Sequence, residues 1–257
     1  MPPLTRRRCR ETTRKLATGL VLALLSGCAT SGPNHVYLTT AASLALHDLG
    51  PPPAAIPGVL QPGEQALGLA YDFNTDHLFV RVAPAQVIRV IERPSGKILR
   101  EMPLPAELHA TGSADLAIRS SDRHLFAAHP DGRSVVELAL FGDFVRRIEL
   151  AGFAGSLGGL AFDQKSGRLL VLGTAPGRVQ VGAVAATGSV TYYAALAAAV
   201  NPVSLGYDSE TGHCFVPLAD GVSLGEFDAA GRLVATHLAA GPVTAIDAGP
   251  RSFLRVF

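Results

Sequence analysis

Gly221-Val222-Ser223-Leu224-Gly225 has the spacing of a nucleophile elbow, and Asp228 and His237 follow it in the chain order of a hydrolase triad. An elbow works only on a strained strand-to-helix turn that lifts the serine hydroxyl beside an oxyanion hole. No helical periodicity follows Ser223, and all three residues fall within one expected hairpin. Asp72-x-Asn74-x-Asp76 resembles the opening of a calcium loop, but His77 stands where that loop needs glycine. Gly155-Ser156-Leu157-Gly158-Gly159 leads into a strand, so it offers no helix N-terminus to a phosphate. His77, His124 and His213 each precede an apolar run and read as turn ends, and Cys214 reads as a small buried side chain. The motifs therefore point to no catalytic residue, no metal ligand set and no cofactor.

The elements that carry these residues belong to a chain of 257 residues with 48% hydrophobic and 17% charged side chains. Such a chain buries enough surface to hold a core without disulfides or metal. That composition excludes disorder, and three cysteines without a Cys-x-x-Cys spacing exclude a zinc ribbon or a disulfide scaffold. The formal charge of +1 hides two unlike parts. Residues 1–27 hold six basic side chains and one acid, so the remainder carries 16 basic against 20 acidic groups, a net of −4. This body has no basic run to serve as a footprint for nucleic acid.

Six basic residues between Arg6 and Lys15, an apolar run from Leu16 to Leu25 and then small residues read as a signal peptide over 1–27. The apolar run is far shorter than the roughly 20 residues that span a bilayer. Leu25-Ser26-Gly27-Cys28 resembles the bacterial lipoprotein box, in which cleavage precedes a lipid-modified cysteine. The resemblance implies export, lipidation of Cys28 with diacylglyceryl and palmitate groups, and attachment to the cell envelope. Ala29, where an aspartate holds such proteins at the inner membrane, implies the outer membrane. Residues 28–35 read as a lipidated tether and 36–257 as one folded domain.

That domain repeats. LAYDFNTDHLFV (69–80), LAIRSSDRHLFA (116–127), LAFDQKSGRLLV (160–171), LGYDSETGHCFV (205–216) and TAIDAGPRSFLR (244–255) align. Asp72, Arg119, Asp163, Asp208 and Asp247 are then 47, 44, 45 and 39 residues apart, a period that suits four-stranded propeller blades. Each unit reads as strand (a), a polar turn, an apolar strand (b), a loop, and strands (c) and (d) around Gly96, Gly142, Gly188 or Gly231. NHVYLTT (34–40) matches DHLFVRV (76–82) as a (b) strand, and FLRVF (253–257) is a second terminal (b)-like run. The expectation is an all-β, five-bladed β-propeller whose N- and C-terminal strands close one blade, with six incomplete blades as the alternative.

The repeats resemble the NHL and YVTN propeller families over essentially the whole mature chain. Those families include scaffolds, ligand sensors and some enzymes, so the likeness implies fold far more than activity. In a propeller, the (d)-to-(a) and (b)-to-(c) loops share the face that usually binds. That top face would carry His109, Asp115, His129, Asp131, Arg133, Arg178, Asn201 and Asp220 as candidate binding residues. The favoured reading is a membrane-anchored, non-catalytic interaction module that docks an envelope protein or polymer; enzymatic activity stays open. One alternative is a metal-dependent hydrolase of gluconolactonase type, with Gln65, Asp115, Asn201, Ser204 and Thr244 at the axis and Leu157 in the third blade. Another is carbohydrate binding, for which the chain offers no Trp and, among the top loops, Phe153.

Overall fold

The computed structural model of the protein describes residues 34–109, 112–153 and 155–250. The expected signal peptide, Cys28 and the run FLRVF lie outside the described residues. Strands β1 (Asn34–Thr40), β2 (Leu46–Asp48) and β3 (Ala54–Ile56) come first. Blade 1 follows as β4 (Gln65–Asp72), β5 (His77–Ala83), β6 (Val87–Glu92) and β7 (Lys97–Pro103). Blade 2 is β8 (Leu116–Arg119), β9 (His124–Ala128), β10 (Ser134–Leu138) and β11 (Phe144–Glu149). Blade 3 is β12 (Ser156–Asp163), β13 (Arg168–Ala175), β14 (Arg178–Val184) and β15 (Val190–Ala195). Blade 4 is β16 (Gly206–Asp208), β17 (His213–Pro217), β18 (Ser223–Phe227) and β19 (Leu233–Leu238). The final strand is β20 (Val243–Pro250).

These strands make five antiparallel four-stranded sheets, a five-bladed propeller rather than six incomplete blades. Blade 5 runs β20-β1-β2-β3, so the C-terminal strand is innermost and the N-terminal copy supplies strand (b). Pairing of β1 with β20, from Asn34↔Pro250 to Thr40↔Val243, closes the ring. Asn34 and His35, expected in the tether, are already strand, and His35 is buried with its Nδ1 2.7 Å from Asp48.

Successive strand residues point to opposite faces, and each sheet is covered on both. Leu78 and Val80 therefore join the core between blades 5 and 1, while Phe79 between them joins the core between blades 1 and 2. Three further apolar clusters fill the remaining gaps between blades. Burial on both sides is why the (b) strands read as continuous apolar runs. Each such side chain stabilises by about 1.5–3 kcal/mol. Gly96, Gly142, Gly188 and Gly231 all take positive φ at the (c)-to-(d) turns, as their spacing predicts.

Blade 2 has a second fastening, through Glu137 on β10. Its carboxylate accepts from Arg119 of β8 (2.8 Å), His124 of β9 (2.8 Å) and Arg146 of β11 (2.6 Å), so one side chain ties all four strands. Burial opposes its ionisation, but the bonds from Arg146, His124 and Arg119 outweigh burial and hold the carboxyl below its usual range. A carboxyl held low contributes stability that is present above its unfolded pKa, about 4.3, and is lost as pH falls through the lower folded value. Urea unfolding should show Glu137→Gln less stable than wild type by about 2 kcal/mol at pH 7. The two proteins should converge as pH falls below about 4. A constant gap from pH 7 to pH 3 would contradict this role.

Candidate functional site

Strand (a) of each blade is a sheet edge, and its inner residues face the next blade at the axis. Register aligns two layers of them. Opposite Phe79, Phe126, Leu170, Phe215 and Tyr37, which hold the same place in their (b) strands, stand Ala70, Ala117, Ala161, Gly206 and, in blade 5, Asp247. Two positions earlier in the chain come Gly68, Asp115, Gly159, Ser204 and Ala245, of which Asp115 and Ser204 lie just before their strands. Small residues are required here, because a Cβ on Gly159 would lie 2.6 Å from Leu205 N and Ser204 C of the next blade. This register corrects the repeat alignment. Asp247 does not correspond to Asp72, which stands opposite His77; Gly249, opposite His35, takes that place.

Asp115 is fully buried. Its Oδ2 accepts from Leu160 N of blade 3 (2.8 Å) and Leu205 N of blade 4 (3.0 Å), and Ser204 Oγ lies 2.9 Å from its Oδ1. Ser204 Oγ in turn accepts from Ile246 N of blade 5 at 2.9 Å. Asp247 accepts from Tyr71 N of blade 1 at 2.6 Å and from Ala248 N at 2.8 Å. Two carboxyls and one hydroxyl thus engage the inner strands of every blade. Burial pushes Asp115 up to about 7, against the bonds from Leu160, Leu205, Leu116 and Ser204. Asp247 is raised well above its ordinary range, first by burial, with the charge of Asp115 adding to it. The Ser204 hydroxyl has two acceptors, Asp115 and Ile246 O at 3.3 Å, so the network accommodates Asp115 with or without its proton.

The axis ends in two mouths. The top mouth, about 470 Å³, is lined by Ala41, Leu67, Leu157, Pro202, Val203 and Pro242, with Gln65, Ser113 and Thr244 among its polar groups. Val203, Val222 and Leu238 stand exposed on blade 4, at the mouth or in the loops leading to it. Ala239 N donates to Val222 O and Val243 N to Gly221 O, which places this rim against the mouth. The lower mouth, about 220 Å³, opens between the (a)-to-(b) turns and is lined by Tyr71, Phe73, Ile118, Phe162 and Asp247.

None of the eight top-face candidates lines the top mouth. Asp115 points inward as described. Asp131 accepts from Arg133 N and from Ser134 N and Oγ, and it pairs with His129 and Arg147. Burial works against its ionisation, but these bonds hold its carboxyl low. Asp220 accepts from Val222 N and Ser223 N in the corresponding turn of blade 4. His109 bonds Leu104 O through its ring at 2.9 Å. Arg178 is exposed at the start of β14, and Asn201 donates its backbone N–H to Pro217 O. His129, Asp131 and Arg133 share one turn, His109 and Asp115 share the connection between β7 and β8, Arg178 begins β14, and Asn201 and Asp220 stand in two further loops. The side chains of Asp131 and Asp220 cap their turns.

The motif readings resolve in the same way. Ser223 begins a strand, His237 pairs with Glu226 and Asp228 pairs with Arg232, so no triad forms. Asp72 caps its turn through Asn74 N and Thr75, whereas Asp76 holds Arg93, so these carboxylates diverge. At the axis, Asp115 and Ser204 are spent on the fold and Asn201 lies outside the mouth, leaving Gln65 and Thr244. Without a charged oxygen ligand that donor set does not fit a divalent cation of hydrolase type. Phe153 packs against Tyr192, with ring centroids 6.1 Å apart, and is no open platform for a sugar.

Sequence reasoning missed Asp247 at the lower mouth and two buried arginines of blade 1. Arg81 donates to Leu108 O, Ala114 O and Ala128 O, fixing the loop that delivers Asp115. Arg89 bonds Val59 O, Glu64 and Glu101, fixing the loop that enters β4. A guanidinium satisfies several carbonyls at once, which is why a charged residue can sit inside these strands.

No protein-family model matches the chain, and no curated protein matches it in sequence. Among solved structures it is similar to a chain of a nidogen/laminin complex, with 12% identity over 84% of this chain and 98% of that one and a TM-score of 0.60. It is similar to a virginiamycin B lyase from Staphylococcus aureus at 14% identity, 80% and 67% coverage and a TM-score of 0.46. The β-propeller domain of Cps50 (Swd1) from Myceliophteria thermophila gives 12%, 72%, 58% and 0.41. Such identities speak to fold alone, and these proteins differ in function.

The raised Asp115 carboxyl gives stability that is fully present below its unfolded pKa, about 4, and is lost as pH rises through about 7. Unfolding followed from pH 4 to pH 8 should slope downward in wild type and less steeply in Asp115→Asn. Asp115→Ala, which strips the acceptor from Leu160 and Leu205, should lose at least about 3 kcal/mol. Equal slopes in wild type and Asp115→Asn would contradict the placement of this carboxyl.

Proposed function

We propose that the protein is an exported bacterial lipoprotein, anchored through Cys28 to the outer membrane, whose propeller docks a protein partner without catalysing a reaction. The anchor rests on Leu25-Ser26-Gly27-Cys28 and the basic and apolar segments before it. The docking surface rests on one observation: the top mouth is an open concavity of mixed polar and apolar lining with Val203 in its wall, and Val222 and Leu238 stand exposed on the same blade, Leu238 being 80% exposed. Exposed large apolar side chains beside a concavity favour a protein contact. The small residues that line the mouth admit a chain of apolar side chains, and the lack of Trp there disfavours a sugar polymer. With both axial carboxyls committed to backbone amides, the mouth has no group poised to transfer a proton.

In-cell photocrosslinking tests this reading. A crosslinker at Val222 or Leu238 should capture one envelope protein, whereas one at Arg123, in an (a)-to-(b) turn, should not. Cys28→Ser should move the protein from the membrane to the soluble fraction and lower capture at least about tenfold. Equal capture from both faces, or membrane retention of Cys28→Ser, would overturn the proposal.

A further inference from the structure

The lower mouth has a feature that the repeat of the blades does not require. At the position of Asp247 the other four blades carry Ala70, Ala117, Ala161 and Gly206, so a propeller blade is complete there without a carboxyl. Blade 5 alone places an acid in that layer, and that acid lines a cavity of about 220 Å³. Tyr71, Phe73 and Phe162 form aromatic walls and Ile118 an aliphatic one. Asp247 bonds Tyr71 N and Ala248 N, and a carboxylate has further lone pairs to offer.

We infer that the lower mouth binds a small organic cation, an ammonium carried on a single ring, with its charge on the Asp247 carboxylate and its ring among Tyr71, Phe73 and Phe162. Size, shape and charge agree. A cavity of about 150 Å³ lined by apolar side chains takes up benzene, so this one takes a ring with a short ammonium arm. Aromatic faces attract cations, most strongly where water is excluded. Burial, with the charge of Asp115 adding to it, raises the Asp247 carboxyl, so a bound cation favours its ionisation and binding is accompanied by proton release. Lys165 and Glu210 also line the mouth, and their opposite charges offset one another at its entrance. The inference is independent of the docking proposal, because this mouth lies at the other ends of the (a) strands.

Calorimetric titration of the purified full chain with phenethylammonium, 2-phenylethanol and phenylacetate decides the matter. Phenethylammonium should bind with a Kd of about 1 mM or tighter, 2-phenylethanol at least about tenfold more weakly, and phenylacetate more weakly still. Asp247→Asn should erase the preference for the cation. Phe73→Ala, at a half-buried wall residue, should weaken phenethylammonium severalfold with an unchanged unfolding transition, and it serves if Asp247→Asn does not fold. Equal binding of the three probes, no binding of the cation, or an Asp247→Asn protein that keeps the preference would each overturn the inference.

Discussion

A ring of β-sheets leaves each innermost strand with a backbone edge facing the axis and no further strand to pair with. Buried N–H groups left without acceptors cost about 1–3 kcal/mol each. Here Asp115 serves Leu160 and Leu205, Ser204 serves Ile246 and Asp247 serves Tyr71. The acceptors reach the amides only because Gly68, Gly159 and their equivalents let neighbouring inner strands approach closely. Strand pairing of β1 with β20 closes the ring at its second rank, and the axial network closes it at its centre.

That constraint decides where function can lie. Acids at the axis of a propeller look like ligands or catalysts, yet Asp115 has its oxygens directed at the amides of two other blades and Ser204. Asp247 also accepts from backbone amides, but it faces a cavity as well as the network. The top mouth keeps a mixed polar and apolar lining beside exposed apolar side chains of blade 4. One axis therefore offers two unlike ends, an open mouth of mixed lining above and an aromatic, acid-floored cavity below.

The sequence makes the blades legible because turn chemistry and apolar runs are local and recur. Gly96, Gly142, Gly188 and Gly231 mark turns through their own backbone needs, and the match of residues 34–40 to residues 76–82 reveals the closing strand. The site was harder to read, for reasons of distance. Asp115 meets amides 45 and 90 residues away, so nothing beside it in sequence separates a buried hub from a loop acid. Asp131 and Asp220 resemble binding residues because short acids that cap turns are the same residues that bind ligands. Asp247 was misaligned by two positions because Ala248-Gly249-Pro250 lacks the polar turn of the other blades, and only pairing with Tyr37 sets its register. His124 and His213 looked like turn ends; each bonds an acid 13 residues on, Glu137 and Glu226, as His35 bonds Asp48. In the corresponding place of blade 1 the residue is Val90, so His77 stands opposite Glu92 instead.

The axial network is tested most directly by amide hydrogen exchange on the full-length protein and its Asp115→Ala variant. Leu160 and Leu205 lie in blades 3 and 4, far from residue 115 in sequence, and their amides are protected by its carboxyl if the account is right. The variant should then lose protection at these two amides beyond the loss seen at strand centres such as Val171 and Val216. Protection at Leu160 and Leu205 that matches wild type would contradict the claim that this buried carboxyl holds the blades together.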